Sequence, residues 1–168
     1  MKNIITVILL SLLIPGMSFG ADEHNHDGDK KTVAVEALSP DLRILLSREM
    51  QALQSGMMAI IPAYISGNWG EIESIAGKMK RSYILKQSLT DAQIKEMHTI
   101  LPSGFIEKDQ RFHYLAGMLE HAAKAEKPEL INFYFSEMTR SCASCHSTFA
   151  THKFPALLPR EKDPDHRH

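Results

Sequence analysis

The chain has 168 residues, of which 43% are hydrophobic, and its formal net charge is -1 at pH 7. These values are typical of one globular domain, and no basic stripe of the kind that binds nucleic acid is present. The sequence also lacks a catalytic triad, a phosphate-binding loop and a paired-carboxylate motif. We therefore expect neither a nucleic-acid partner nor an enzyme.

The first twenty residues have the pattern of a secretory signal peptide. A positive start with Lys2 precedes an apolar run over residues 4–14, and the small residues Ser18 and Gly20 precede the expected cleavage after Gly20. The run is shorter than the ~20 residues of a membrane-spanning helix, so we expect no stable membrane anchor. The pattern predicts export to the periplasm.

Both ends of the mature chain are expected to be flexible. Residues 21–38 form a polar leader, and residues 154–168 form a proline-containing charged tail. His24 and His26 in the leader and the final His166-Arg167-His168 suggest a minor hypothesis, loose binding of a metal ion. The alternative is that both ends are simply solvated.

The first predicted helix begins at Ser39 as N-cap, with Pro40 in its first turn. Pro62 should kink or end it, and the turn at 66–68 contains Gly67. Apolar residues recur at three- and four-residue steps and predict one buried stripe: Leu42, Leu46, Met50, Leu53, Met57, Ile60 and Tyr64.

Three further long helices are predicted, over residues 69–86, 109–125 and 129–151. A short extra helix starting at Thr90 lies in the long connection 89–108. Strand-like alternation of useful length does not occur. We therefore predict an all-α protein, an antiparallel four-helix bundle over residues 39–153.

The last helix carries the chain's only two cysteines, in the sequence Cys142-Ala143-Ser144-Cys145-His146. Cys-x-x-Cys-His is the attachment motif of a c-type haem. Positions i, i+3 and i+4 share one face of a helix, so both thiols and the imidazole point toward the same partner. The motif predicts one covalently attached haem c near the C-terminal end of the bundle, with His146 as the proximal iron ligand.

Two alternatives use the same cysteines. A structural zinc site needs four ligands, and no second ligand pair with suitable spacing exists. A fourth ligand would have to be one of four histidines: His98, His113, His121 or His152. A disulfide between Cys142 and Cys145 would leave His146 unexplained and would strain a helix.

The second axial position stays open on the residues alone. Several methionines lie on or beside the predicted apolar stripes, and each one is also a plausible core residue. The candidates are Met50, Met57, Met58, Met79 and Met118.

The chain resembles the class II cytochromes, the four-helix-bundle family of cytochrome c′ and its low-spin relative cytochrome c556. The likeness rests on the first-helix segment 48–58 (Arg-Glu-Met-Gln-Ala-Leu-Gln-Ser-Gly-Met-Met), the turn with Gly67, a third helix centred on Phe112, and the segment 142–149. The resemblance implies that Met50 occupies the distal haem face and binds the iron. The chain departs from the family at Ala150, where a basic residue is usual. The family's first-helix arginine also falls elsewhere, and Arg43 and Arg48 are the arginines nearest to its position.

The expected function is periplasmic transfer of single electrons through a His/Met-ligated haem to redox partner proteins. The alternative is a five-coordinate haem protein of the cytochrome c′ kind that binds NO or CO, with Met50 packed beside the iron. Members of the family occur as monomers and as homodimers, so either state is compatible with the resemblance.

Overall fold

The computed structural model describes residues 35–82 and 89–158. Their five α-helices are α1 (Pro40–Ile65), α2 (Trp69–Lys80), α3 (Asp91–Ile100), α4 (Ser103–Lys124) and α5 (Pro128–Phe149). Two 3-10 turns, Val35–Ala37 and Pro155–Leu157, flank them, and these described ranges contain no strand. The predicted all-α class is confirmed. The predicted signal peptide, most of the leader and the end of the tail lie outside the described residues.

Helix α1 begins where the sequence predicts. Ser39 is its N-cap and Pro40 its first residue, and the Ser39 N–H donates to Glu96 Oε1 of α3 over 2.6 Å. The helix continues through Pro62 and ends at Ile65, and Gly67 follows with φ of +67°. That left-handed conformation favours glycine, which has no Cβ to clash with the following carbonyl.

The predicted end of α2 and start of α4 are wrong. Helix α2 ends at Lys80, six residues before the predicted end, because Ser82 adopts a φ of 63°, which an α-helix cannot contain. Helix α4 begins at Ser103, directly after Pro102 and six residues before the predicted start. The short helix α3 does follow Thr90, whose side chain forms a capping box with Gln93.

The helices enclose two apolar clusters, and α4 packs against both α2 and α5 while α1 packs against α2. The major cluster lies among α1, α2, α4 and α5 and includes Leu53, Ile60, Ile72, Met79, Leu119, Ile131 and Met138. The minor cluster consists of Leu38, Leu42, Leu46, Leu101, Phe105 and Phe149. None of the described helices is long and apolar enough to cross a membrane.

The buried face of α1 differs from the predicted stripe at its centre. Met50 is 37% exposed, whereas the preceding Glu49 is only 1% exposed. Glu49 Oε1 accepts a hydrogen bond from the equally buried Ser82 hydroxyl over 2.8 Å, and this partner makes the burial of a carboxyl side chain tolerable. Met50 therefore lies at the edge of the stripe. The two other predicted members that are only half-buried, Met57 and Tyr64, pack against the major cluster.

Candidate functional site

The three motif residues lie in the last turns of α5. Cys142 and Cys145 are both half-buried, and both thiols are free. His146 follows on the same helix and is also half-buried. Positions three and four apart on a helix share one side, so the two thiols and the imidazole are arranged on adjoining turns.

The two cysteines contact different parts of the core. Cys142 packs against the major cluster, whereas Cys145 packs against the minor cluster. Phe149, one turn after Cys145, is buried in the minor cluster and meets Phe105 edge-on, with ring centroids 5.5 Å apart. The motif therefore spans the boundary between the two clusters.

Burial keeps all three motif side chains in their neutral forms. It raises the pKa of the Cys142 thiol, although a backbone hydrogen bond opposes the rise. It raises the pKa of Cys145 to about 11, with a smaller opposing effect from the ammonium of Lys108 and small additions from Asp109 and Cys142. Desolvation also lowers the pKa of His146, so the imidazole is neutral near pH 7, which is the form that binds a metal.

Lys108 of α4 is a neighbour that the sequence did not indicate. Its Nζ donates a hydrogen bond to Ser144 Oγ, between the two cysteines, over 2.6 Å. The sequence prediction placed Lys108 in a connection just before the third long helix. The early start of α4 puts it on a helix facing the motif, and no local pattern in the sequence signals that contact.

The imidazole of His146 has an aromatic neighbour from beyond the helix. The Phe154 ring stacks on it, with centroids 4.3 Å apart and planes only 6° from parallel. Phe154 lies in the segment that the sequence predicts as a flexible tail, directly before the 3-10 turn Pro155–Leu157.

Helices α1 and α5 meet at one end, and a small cavity lies between them there. The Tyr64 hydroxyl donates to the Pro128 carbonyl over 3.3 Å. A small cavity of about 180 Å³ adjoins this contact, lined by Ile60, Ile61, Tyr64, Ile65, Ile131, Asn132 and Phe135. A shallow, open depression of about 490 Å³ lies on the surface of α5 itself and is lined by Asn132, Phe135, Ser136, Thr139, Arg140 and Ala143, the last of which stands between the two cysteines.

The donor set fits a covalently attached haem. Thioether formation needs two reduced thiols three residues apart, iron ligation needs a neutral imidazole next to them, and Cys142, Cys145 and His146 supply these groups. Met50, the predicted distal ligand, lies on α1 between Leu46 of the minor cluster and Leu53 of the major cluster, and the residue is partly exposed.

The zinc alternative gains no fourth ligand. Nδ1 of His113 lies 2.7 Å from the Met79 carbonyl and its Nε2 lies 3.4 Å from Asp109, while His152 pairs with Glu36 over 2.6 Å. Within residues 35–82 and 89–158, no three His, Cys, Asp or Glu side chains converge on a point that could hold a metal ion.

Comparisons of the chain with models of known protein families, with curated proteins and with solved structures gave no match.

Proposed function

We propose that the protein is a periplasmic cytochrome that carries single electrons through one haem c, bonded to Cys142 and Cys145 and ligated by His146 and Met50. The observation that carries the proposal is the pair of free, half-buried thiols beside a neutral imidazole on one side of α5. A bound haem c would supply reversible one-electron chemistry at iron, and a His/Met ligand pair raises its reduction potential.

The direction of α1 relative to α5 supports Met50 as the distal ligand. The end of α1 meets the start of α5 through Tyr64 and Pro128, whereas the early α1 residue Leu46 shares the minor cluster with Phe149 at the end of α5. These contacts favour helices that run in opposite directions. Opposite directions of α1 and α5 are compatible with the predicted antiparallel bundle, in which α1, α2, α4 and α5 would be the four helices and α3 would be part of the connection.

Distances along the two helices support a position of Met50 near the motif. Met50 lies 14 residues before Tyr64 on α1, and Cys142 lies 14 residues after Pro128 on α5. At 1.5 Å of rise per residue, both lie about 21 Å from the contact between Tyr64 and Pro128. Met50 and the first cysteine would thus be at the same level of the bundle, on facing helices.

The chain's own groups would hold and shield the site. The minor cluster excludes water from the Cys145 side, and the major cluster does so beside Cys142. Lys108 and Ser144 fix α4 against the middle of the motif. The exposed surface of α5 that ends at Ala143 would leave one edge of the site accessible, as the small, transient encounters of redox partners require.

One observation favours a second candidate function, which is binding of NO or CO at a five-coordinate haem iron. Met50 belongs to neither apolar cluster, so core packing does not hold its thioether toward the motif. If the thioether stayed unbound, the iron would keep a vacant position for a small gas.

Optical spectra of the exported, haem-bearing protein separate the two. The electron carrier should be low-spin with a near-infrared sulfur-to-iron band, and Met50→Ala should abolish that band. Met58→Ala is the matched control, because Met58 is 63% exposed on the same helix and should not affect the band. A high-spin spectrum unchanged by Met50→Ala, with rapid CO uptake, would establish the gas binder instead. Absence of covalent haem from the unmodified protein after denaturation would refute both.

A further inference from the structure

We propose that Phe154 is a positioning residue that sets the plane of the His146 imidazole, which is the proximal iron ligand in the proposed function. The inference rests on the proposed function, because it assigns a role toward an attached haem. Its starting point is the near-parallel stack of the two rings, 4.3 Å between centroids and 6° between planes.

The geometry of the stack suits a metal ligand. The lone pair of an imidazole nitrogen lies in the ring plane, so a neighbour against the ring face leaves both nitrogens accessible. The same neighbour hinders rotation of the ring about its bond to Cβ. Phe154 can therefore restrain the ligand's rotation without competing for the position that the iron would take.

Phe154 is itself held by the backbone. The Ala150 N–H donates to the His146 carbonyl over 3.1 Å, and the Phe154 N–H donates to the Ala150 carbonyl over 3.0 Å. The Leu157 N–H then donates to the Phe154 carbonyl over 3.0 Å. This series links the two stacked residues through consecutive hydrogen bonds.

The turn after α5 is what brings the rings together. On an uninterrupted helix, residues eight apart lie about 12 Å apart along the axis, too far for a ring stack. Helix α5 instead ends at Phe149, and the chain folds back so that Phe154 reaches His146. A contact of 2.6 Å between His152 Nδ1 and Glu36 Oε1 anchors the returning segment to the Val35–Ala37 turn.

The stack takes the place of the usual orienting contact. Metal-binding histidines commonly donate their second N–H to a carboxylate or a carbonyl, which fixes the ring. Among residues 35–82 and 89–158 no group forms a hydrogen bond with the His146 ring, so its fixed neighbour there is the aromatic face of Phe154.

Three variants test the inference. Phe154→Leu keeps an apolar side chain but removes the aromatic face, whereas Phe154→Tyr keeps the face. Leu157→Ala is the matched control, since Leu157 lies in the same returning segment and is 39% exposed, as Phe154 is. Circular dichroism checks that all of them retain the helical fold.

The readout is the electronic structure of the iron, which general destabilisation would not shift. The spread of g values in the ferric low-spin EPR spectrum, and the haem methyl shifts in proton NMR, depend on the plane of the axial imidazole. We expect both to change in Phe154→Leu and to stay as in the unmodified protein in Phe154→Tyr and Leu157→Ala. For a five-coordinate iron, the iron–histidine stretching frequency of the ferrous protein replaces the EPR measurement.

The outcomes separate this inference from the proposed function. Attached haem with unchanged spectra in Phe154→Leu would overturn the role of Phe154 and leave the cytochrome assignment standing. Without attached haem the proposed function fails, and the role of Phe154 toward an iron ligand fails with it. In that case proton NMR of the His146 ring, whose upfield ring-current shift should disappear in Phe154→Leu, still decides whether the stack exists.

Discussion

The hydroxyl of Ser82 donates a hydrogen bond to Oε1 of Glu49 over 2.8 Å, and both residues are only 1% exposed. This contact joins the residue just beyond α2 to the middle of α1. Glu49 thus faces the core, and the Met50 side chain, which follows it directly, lies at the edge of the buried stripe.

Two replacements of Ser82 should separate the stability effect of its hydrogen bond from the effect of its positive φ. Ser82→Ala removes a hydrogen bond to a buried carboxyl group and should reduce the free energy of unfolding by about 1–3 kcal/mol. Ser82→Gly loses the same bond, but glycine adopts the φ of 63° without the cost of about 1–2 kcal/mol that a Cβ imposes. Urea unfolding should therefore find the glycine variant more stable than the alanine variant. The reverse order would contradict this explanation.

Two glycines near the start of α2 should respond to alanine in opposite directions. Gly67 has φ of +67°, so Gly67→Ala should cost about 1–2 kcal/mol of stability. Gly70 lies in the helix, and a Cβ there would meet no atom within 4 Å, so Gly70→Ala should stabilise by about 0.5–1 kcal/mol. Thermal unfolding of both variants measures the difference. Equal effects would argue against the left-handed turn at Gly67.

The Cys145 thiol of the haem-free protein should react slowly at ordinary pH. Its pKa of about 11, against the ordinary 9.0, implies roughly a hundredfold less thiolate below pH 9, because each pH unit is a factor of ten. In Cys142→Ala, where only Cys145 can react, alkylation by iodoacetamide should keep accelerating until about pH 11. In urea the alkylation rate should stop rising near pH 9.0, the ordinary pKa of the thiol. A rate that stops rising near pH 9.0 in the folded protein as well would contradict burial of the thiol.

The same shift predicts how the stability of the haem-free protein depends on pH. Between pH 9.0 and about 11 the unfolded chain loses the Cys145 proton before the folded chain does. Stability should therefore decline as pH rises through this window. The free energy of unfolding of Cys145→Ala should therefore fall less over this pH range than that of the unmodified chain.

Each motif cysteine should form one thioether independently. Cys142→Ser and Cys145→Ser should each retain haem on a denaturing gel, because one bond suffices to hold it, and each should show a red-shifted pyridine haemochrome from the remaining vinyl group. The double variant should lose covalent haem. Ser144→Ala, between the cysteines, removes only the partner of Lys108 and should keep both bonds.

The sequence predicts the helices well where local chemistry decides their ends. The starts of α1 and α3 are predicted correctly, because both depend on residues close along the chain. Thr90 and Gln93 form a capping box, whereas Ser39 makes no side-chain capping hydrogen bond and the start of α1 depends on Pro40 in its first turn. The end of α2 could not be predicted in this way. Ser82 adopts a left-handed φ although serine has no such preference, and its hydroxyl reaches a residue 33 positions away.

Long-range partners limit the sequence-based prediction of the site in the same manner. Spacing alone brought Cys142, Cys145 and His146 together on one helix. Periodicity could not recognise that Glu49 rather than Met50 occupies the core, since it assigns burial by polarity and cannot include a distant hydroxyl partner. The contact of Phe154 with His146 depends on a turn after α5 that has no glycine signal.

The position of the motif across two apolar clusters has a consequence for folding cooperativity. In the haem-free protein we expect the minor cluster, which ties α3, the start of α1 and the end of α5 to the start of α4, to open while the major cluster stays intact. One rigid macrocycle bonded to Cys142 and Cys145 would hold a side chain from each cluster at a fixed separation. Attachment would thus merge two independently exchanging regions into a single unit, and amide exchange near Leu42 and Phe105 would slow to the global rate.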